Sequence, residues 1–202
     1  MYALVESGSI TKYFNNPKGF TLGDLQYPAD IFMKWSVEEK EAIGIYEVVF
    51  DDSNKKDENW YNNTNQTFAF VDGVVTASYG TATPVAHADV TATDENGNQV
   101  IIHGLKTKLI KTLKKQVAGI LNDTDWYVIR NTEKSIAIPS NISTHRDAVR
   151  TKQAEMETAI TNASDTPALE TLYTYTTNSD GVQSRPLGEL QHWRFNAINT
   201  WN

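Results

Sequence analysis

The chain has 202 residues, enough for one domain or two small ones, and its 40% hydrophobic and 21% charged content is that of a folded globular protein. A formal net charge of −7 argues against a general nucleic-acid binder, which needs a basic face to displace counterions. The absence of cysteine removes disulfides, thiolate zinc sites, iron–sulfur clusters and cysteine nucleophiles together.

The opening, MYALVESGSI, has no basic region followed by a long apolar run, and no window approaches the roughly 18 apolar residues of a membrane span. The expectation is a protein made and folded in the cytosol, with no membrane partner. Residues 2–5 and 10–14 are short apolar runs around Ser7-Gly8, where Gly8 is free to take positive φ, so they predict a β-hairpin. A loop is expected from Asn15 to Pro28. Ser36-Val37-Glu38-Glu39 is a capping box that opens a short helix, and Gly44 ends it. Residues 45–50 read as a strand. The polar stretch 51–65 is a loop, and its Trp60-Tyr61 pair is more readily pinned onto the domain than offered to a partner.

Val71-Asp72-Gly73-Val74 sets Asp-Gly between two apolar runs, the signature of a type I′ turn. A two-residue turn pairs Phe70 with Val75, Phe68 with Ala77 and Gln66 with Tyr79, on a face that should meet the core. Residues 80–88 are a connector. Residues 90–93 and 100–102 flank Asp94-Glu95-Asn96-Gly97-Asn98 as another hairpin.

At Gly104 the period changes from two to 3.6. Leu105, Leu109, Ile110, Leu113, Val117, Ile120 and Leu121 fall in one arc, with Lys108, Lys111, Lys114 and Lys115 outside it, so a helix runs to about Asn122. Thr124 can cap a second helix, and Asp125 suits its first turn. Pro139 forces Ile138 into an extended conformation. Ser140 or Asn141 then starts a helix to about Ala163. Its stripe is Ile142, His145, Val149, Gln153, Met156, Ile160 and Ala163, weak enough to suggest burial against another chain. Ser164-Asp165-Thr166-Pro167 opens a short helix. The tail after Arg185 carries Leu187, Leu190, Trp193, Phe195, Ile198 and Trp201, too apolar for a disordered segment.

Catalytic chemistry is hard to find. None of His87, His103, His145 and His192 has metal-ligand spacing to another His or to a carboxylate pair. Asp94-x-Asn96-Gly97-Asn98 has a faint calcium-loop character but fails at its twelfth position, Leu105, where a bidentate Glu is needed. Adjacent carboxylates, such as Asp51-Asp52, point into solvent from a loop and do not make a glycosidase pair. No Gly-x-Ser-x-Gly elbow, phosphate-binding loop or dinucleotide fingerprint occurs. No catalytic, cofactor or metal residues are assigned. The lysines between 106 and 115 form the only basic cluster. They are either a solvated helix face or an electrostatic contact with an acidic protein or nucleic acid. The expected partner-facing residues are Lys108, Lys111, Lys115, Met156, Trp193 and Trp201.

Residues 105–163 resemble a helical module of tailed-bacteriophage proteins linked to tail fibres and tail assembly. The resemblance rests on a lysine-rich helix, then Asp125-Trp126-Tyr127-Val128-Ile129-Arg130, Glu133, Ile138-Pro139, and Arg146 with Arg150. The opening YALVESGSITKYFNNP and the hairpin FAFVDGVVTASY are weakly similar to the β-rich beginnings of such proteins. Ser135-Ile136 departs from the usual Thr-Gly turn. Trp126, Ile129 and Pro139 are then expected in the core of a helical hairpin.

The combined expectation is an α+β protein: an antiparallel β-rich domain over 1–103 and a helical domain over 104–202, with an aromatic C-terminal extension. The resemblance implies a non-enzymatic structural or adaptor component of a phage tail, at the fibre or baseplate. It would be present in several copies in the virion after assembly in the bacterial cytoplasm, with other tail proteins as partners. Two alternatives remain at this point: a tail-fibre assembly chaperone absent from the virion, and a host-surface glycan-binding or glycan-degrading module.

Overall fold

A computed structural model describes residues 1–191. The chain is α+β, with strands concentrated towards its N-terminus and helices towards its C-terminus, and it divides into two units, Met1–Thr83 and Pro84–Asn202.

The first unit is built on a five-stranded sheet. It contains β1 (Tyr2–Glu6), β2 (Ser9–Phe14), β3 (Phe20–Leu22), β4 (Leu25–Tyr27), α1 (Ile31–Lys34), α2 (Val37–Glu41), β5 (Ile45–Asp51), β6 (Tyr61–Asn62), β7 (Gln66–Val71) and β8 (Val74–Tyr79). The strand order is β2-β1-β5-β8-β7. Ser7 and Gly8 both take positive φ between β1 and β2. Asp72 and Gly73 do the same between β7 and β8, at 49° and 81°, as a type I′ turn requires. The expected register holds: Phe70 faces Val75, Phe68 faces Ala77 and Gln66 faces Tyr79.

The sheet is not antiparallel throughout. β5 pairs with β8 in parallel, with Val48 opposite Val75. The chain leaves β5, passes buried Trp60 in the polar loop, and forms β7 before β8. β7 runs opposite to β5, and the Asp72-Gly73 turn sends β8 back in the direction of β5, beside which it lies.

Alternation along the strands sorts side chains into two cores. Leu4, Phe14, Phe20, Ile31, Phe32 and Ile45 pack on one side of the sheet. Ala3, Val5, Val48, Val75 and Ala77 pack on the other. The expected loop of residues 15–28 holds the β3–β4 hairpin, which delivers Phe20 to stack on Tyr27 and meet Phe14 at 4.8 Å. Tyr13 on one sheet edge and Phe68 on the other bring their rings to 4.7 Å, so the sheet curls and its edges approach. The capping box at Ser36 forms in both directions: Glu39 N donates to Ser36 Oγ, and Ser36 N donates to Glu39 Oε2. At Gly44 φ is +80°, and an added Cβ would lie 2.5 Å from the Val5 carbonyl oxygen, so this helix exit requires glycine.

After β9 (Thr83–Pro84), the second unit contains β10 (Val90–Thr93), β11 (Gln99–Ile102), α3 (Leu105–Asn122), α4 (Asp125–Lys134), α5 (Ser140–Asn162), α6 (Thr166–Tyr173), β12 (Thr176–Thr177) and β13 (Gln183–Ser184). The division falls at Thr83 rather than at residue 103. The segment before the first long helix is tied to the helices: Leu105 N donates to Ala86 O, Lys106 N to His87 O, and Thr166 Oγ1 to Val85 O at 2.6 Å. The change of period marks where a helix begins, not where contacts change.

Helices α3 and α5 run antiparallel. Lys106 Nζ reaches the Thr161 carbonyl at one end of the pair, and Arg146 reaches the Leu121 carbonyl at the other. Between them Leu113, Val117 and Ile120 of α3 and Ile142, Val149, Met156 and Ile160 of α5 are buried. Each such side chain contributes on the order of 2 kcal/mol. α6 opens on Asp165, whose carboxylate accepts from Ala168 N at 2.8 Å, and it buries Leu169 completely. Among the described residues, no helix is long and apolar enough to cross a membrane.

Candidate functional site

The α3–α5 pair frames the segment singled out by the sequence. α3 has Gly104 as N-cap, and no side chain of its own caps it. The cap comes from Asp89 on the preceding hairpin. Its Oδ1 accepts from Gly104 N at 2.8 Å, and its Oδ2 lies 3.0 Å from His103 Nδ1. The His103 side chain first, then the Thr107 side chain and the Gly104 amide, hold the Asp89 carboxyl at about 2. The approach is close: an added Cβ at Gly104 would fall 2.3 Å from the Ala88 carbonyl oxygen.

α3 carries five lysines and no acidic residue. Lys106 is held by Thr161, and Lys114 lies 3.4 Å from Glu157. Lys108, Lys111 and Lys115 are exposed and form no ion pair among the described residues. Spacings of three and four residues put them on one face.

At the other end, the Arg146 guanidinium joins three elements. Nη1 donates to Leu121 O at 2.8 Å and to Thr124 Oγ1 at 2.6 Å, and Nη2 donates to Asp125 Oδ1 at 2.8 Å. Thr124 was expected to cap α4 with its side chain; its hydroxyl instead donates back to Leu121 O. Beside Arg146, His145 is pushed below its ordinary value by burial and then by the Arg146 charge.

The helix that follows does not form a core. None of α4's residues is buried, Trp126 is 49% exposed and Ile129 is 56% exposed. Pro139 is also exposed, as the N-cap of α5, where its carbonyl accepts from Ile142 N and Ser143 N. Trp126, Ile129 and Pro139 are therefore surface residues, contrary to expectation. α4 is attached through its first turn at the end of the helix pair, and Trp126, Val128 and Ile129 of its stripe are exposed. Arg130 stacks against Trp126 and Tyr127, its guanidinium 4.8 and 5.3 Å from their ring centroids. Ser135 takes φ 54° to end α4, the left-handed role that the departure from Thr-Gly left open. Asn131 Nδ2 then holds the Ile136 carbonyl at 2.9 Å, fixing the strap.

Of the expected partner-facing residues, the three lysines lie together at the surface. Met156 is only 3% exposed and belongs to the core, because the α5 stripe is covered by α3. Trp193 and Trp201 lie outside the described residues.

A cleft of about 530 Å³ lies along α3 and α5, lined by Gly119, Ile120, Met156, Arg185, Glu189 and Leu190. Asp123 also lines it, and its Arg185 and Glu189 are paired with each other. Arg185 Nε lies 2.8 Å from Glu189 Oε1, Tyr175 Oη donates to Glu189, and the guanidinium packs against Tyr173 and Tyr175. The bond to Glu189 raises the Tyr175 hydroxyl above its usual range. Among the described residues, no three of His, Cys, Asp and Glu gather as metal ligands. The arrangement provides surfaces: a lysine row, an exposed α4 face and a hydrogen-bonded frame between them. Sequence reasoning missed Asp89, Thr124 and Arg146 as the polar centres of that frame, because each acts on a partner distant in the chain.

No family model, curated protein or solved structure matches this chain.

Proposed function

We propose that this chain is a non-enzymatic structural component of a bacteriophage tail, at the fibre or baseplate, joining tail subunits or attaching a fibre. The observation that supports the reading is what the residues of the tail-protein resemblance do. Asp125 pairs with Arg146, Arg130 stacks on Trp126, and Pro139 turns the strap into α5. They are spent on a frame rather than on a reacting centre. Beside that frame, Lys108, Lys111 and Lys115 and the apolar Trp126, Ile129 and Ile136 face outward. Rigid frames with charged and apolar outer faces suit the holding of other proteins.

The partners are other tail proteins, and tail symmetry gives several copies per particle. The test is mass spectrometry of purified particles of the encoding phage, with stoichiometry. A fixed copy number above one supports the reading. Absence from particles, with the protein abundant in the lysate, overturns it in favour of an assembly chaperone. Glycan binding or cleavage by the isolated protein overturns it in favour of a host-surface module.

A further inference from the structure

The β10–β11 hairpin buries nothing. Seven of its eight strand residues are exposed, and the remaining one, Ala92, is half-buried. The register sets Val90 opposite Ile102 and Ala92 opposite Val100. Residues opposite each other share a face, so that face is apolar from end to end, while Thr91, Ile101, Thr93 and Gln99 occupy the other. Val90, Val100 and Ile102 are 49%, 38% and 57% exposed. A two-stranded ribbon without cover is marginal in water, and both of its edges are open to pairing.

The charges at its two ends say what covers it. The tip carries Asp94 and Glu95. Asp94 Oδ1 accepts from Asn96 N and Asn98 N and fixes the turn, and Glu95 makes no hydrogen bond among the described residues. The base runs directly into the lysines of α3. Asp89, the one acid there, is already taken by His103 and Gly104. Lys106 is held by Thr161, which leaves Lys108 and Lys111 exposed. The ribbon is therefore acidic at its tip and apolar on this face of its strands, and the exposed lysines stand on the helix that follows its base.

We infer that this face binds the same face of a second copy of the chain, the two ribbons packed antiparallel about a two-fold axis. A two-fold contact requires a patch complementary to itself. Antiparallel packing meets that requirement: each acidic tip lies against the other copy's basic base, and the apolar middles meet. A parallel stack would bring the acidic tips together. The inference does not depend on the tail reading, since virion composition and self-association are separate measurements.

The contact is smaller than the roughly 20–30 residues a side of a stable interface, so association is read over a concentration series. Sedimentation of the full chain from about 1 to about 300 µM should show a reversible dimer. Val100→Thr with Ile102→Thr keeps β-branched residues in the strand and removes the apolar surface, and should weaken the dimer about tenfold or more. Its far-UV spectrum should be unchanged. Glu95→Lys should also weaken the dimer, and adding Lys108→Glu should restore it. A chain that stays monomeric over the whole series overturns the inference, whatever else covers the face. So does a Thr variant that dimerises as tightly as the natural chain. If the Thr variant loses its helical signal, the Glu95→Lys and Lys108→Glu pair decides: weakening and restoration uphold the contact, and no change overturns it.

Discussion

Arg146 and Asp125 form an asymmetric ion pair: the arginine side chain is 7% exposed and the aspartate side chain 49%. The arginine's other two bonds go to the neutral oxygens of Leu121 and Thr124. Losing Asp125 thus removes one partner of three, and the freed space is open to water. Losing Arg146 leaves the buried Thr124 Oγ1 without the donor it has now, although the Leu121 carbonyl keeps its bonds from Thr124, and it removes the link between the end of α3 and the start of α4. Arg146→Leu should cost about 2–4 kcal/mol, and Asp125→Asn about 1 kcal/mol. Arg146→Lys should resemble the Leu variant, because a single ammonium cannot reproduce the planar fork. Urea unfolding gives the order, and a larger loss for Asp125→Asn would contradict this account.

The exposure of Trp126 gives a sharp contrast with Ile142. Trp126 is the largest side chain of the recognisable segment, yet it rests on Arg130 and Tyr127 at the surface. Ile142 is 2% exposed between the long helices. Trp126→Ala should change stability by no more than about 1 kcal/mol, whereas Ile142→Ala should cost about 2–5 kcal/mol through lost burial and a residual cavity. Thermal unfolding of both variants checks the pair. If Trp126→Ala were the worse of the two, α4 would be part of a core after all.

Local chemistry was legible in the sequence, and contacts between distant segments were not. Asp72-Gly73 specifies both the turn and the register of β7 with β8, because only certain residues accept two successive positive φ values. The switch of period at Gly104 gives α3 within a residue, and Ser36 with Glu39 gives the start of α2. The parallel β5–β8 pair was hidden, since alternation says which face a residue takes but not which strand lies beside it. Strands of three residues, such as β3 and β4, are too short to show alternation. The stripe of Trp126 and Ile129 reads the same whether or not anything covers it. Arg146 and Arg150 look equivalent in the motif, yet Arg146 is buried while Arg150 lies at the surface beside Asp147.

Lys108, Lys111 and Lys115 offer a test that separates recognition from stability. They are exposed and make no ion pair among the described residues, so changing all three to Gln should alter unfolding free energy by less than about 1 kcal/mol. If the row docks an acidic tail protein, the variant should load onto particles less well, and the natural chain's loading should weaken as salt shortens the reach of the charges. Unchanged loading at low and high salt would leave the row as a solvated helix face.

Asp89 makes the start of α3 sensitive to acid. Its carboxyl is held at about 2 in the folded chain, against a reference near ~3.9 for an unfolded one. The folded state therefore binds this proton more weakly than the unfolded state, and across that window stability must rise with pH. The contribution is fully present above the unfolded value and is lost as pH falls through about 2. Asp89→Asn keeps an oxygen for Gly104 N but removes the charge that faces His103 and the helix N-terminus. The variant should be less stable than the natural chain at pH 5, and the two urea midpoints should converge as the pH is lowered towards 2. Because Asp89 is open to solvent, added salt should narrow the gap at pH 5. A gap that stays constant from pH 5 to pH 2 would mean that the carboxylate charge does not hold the start of α3.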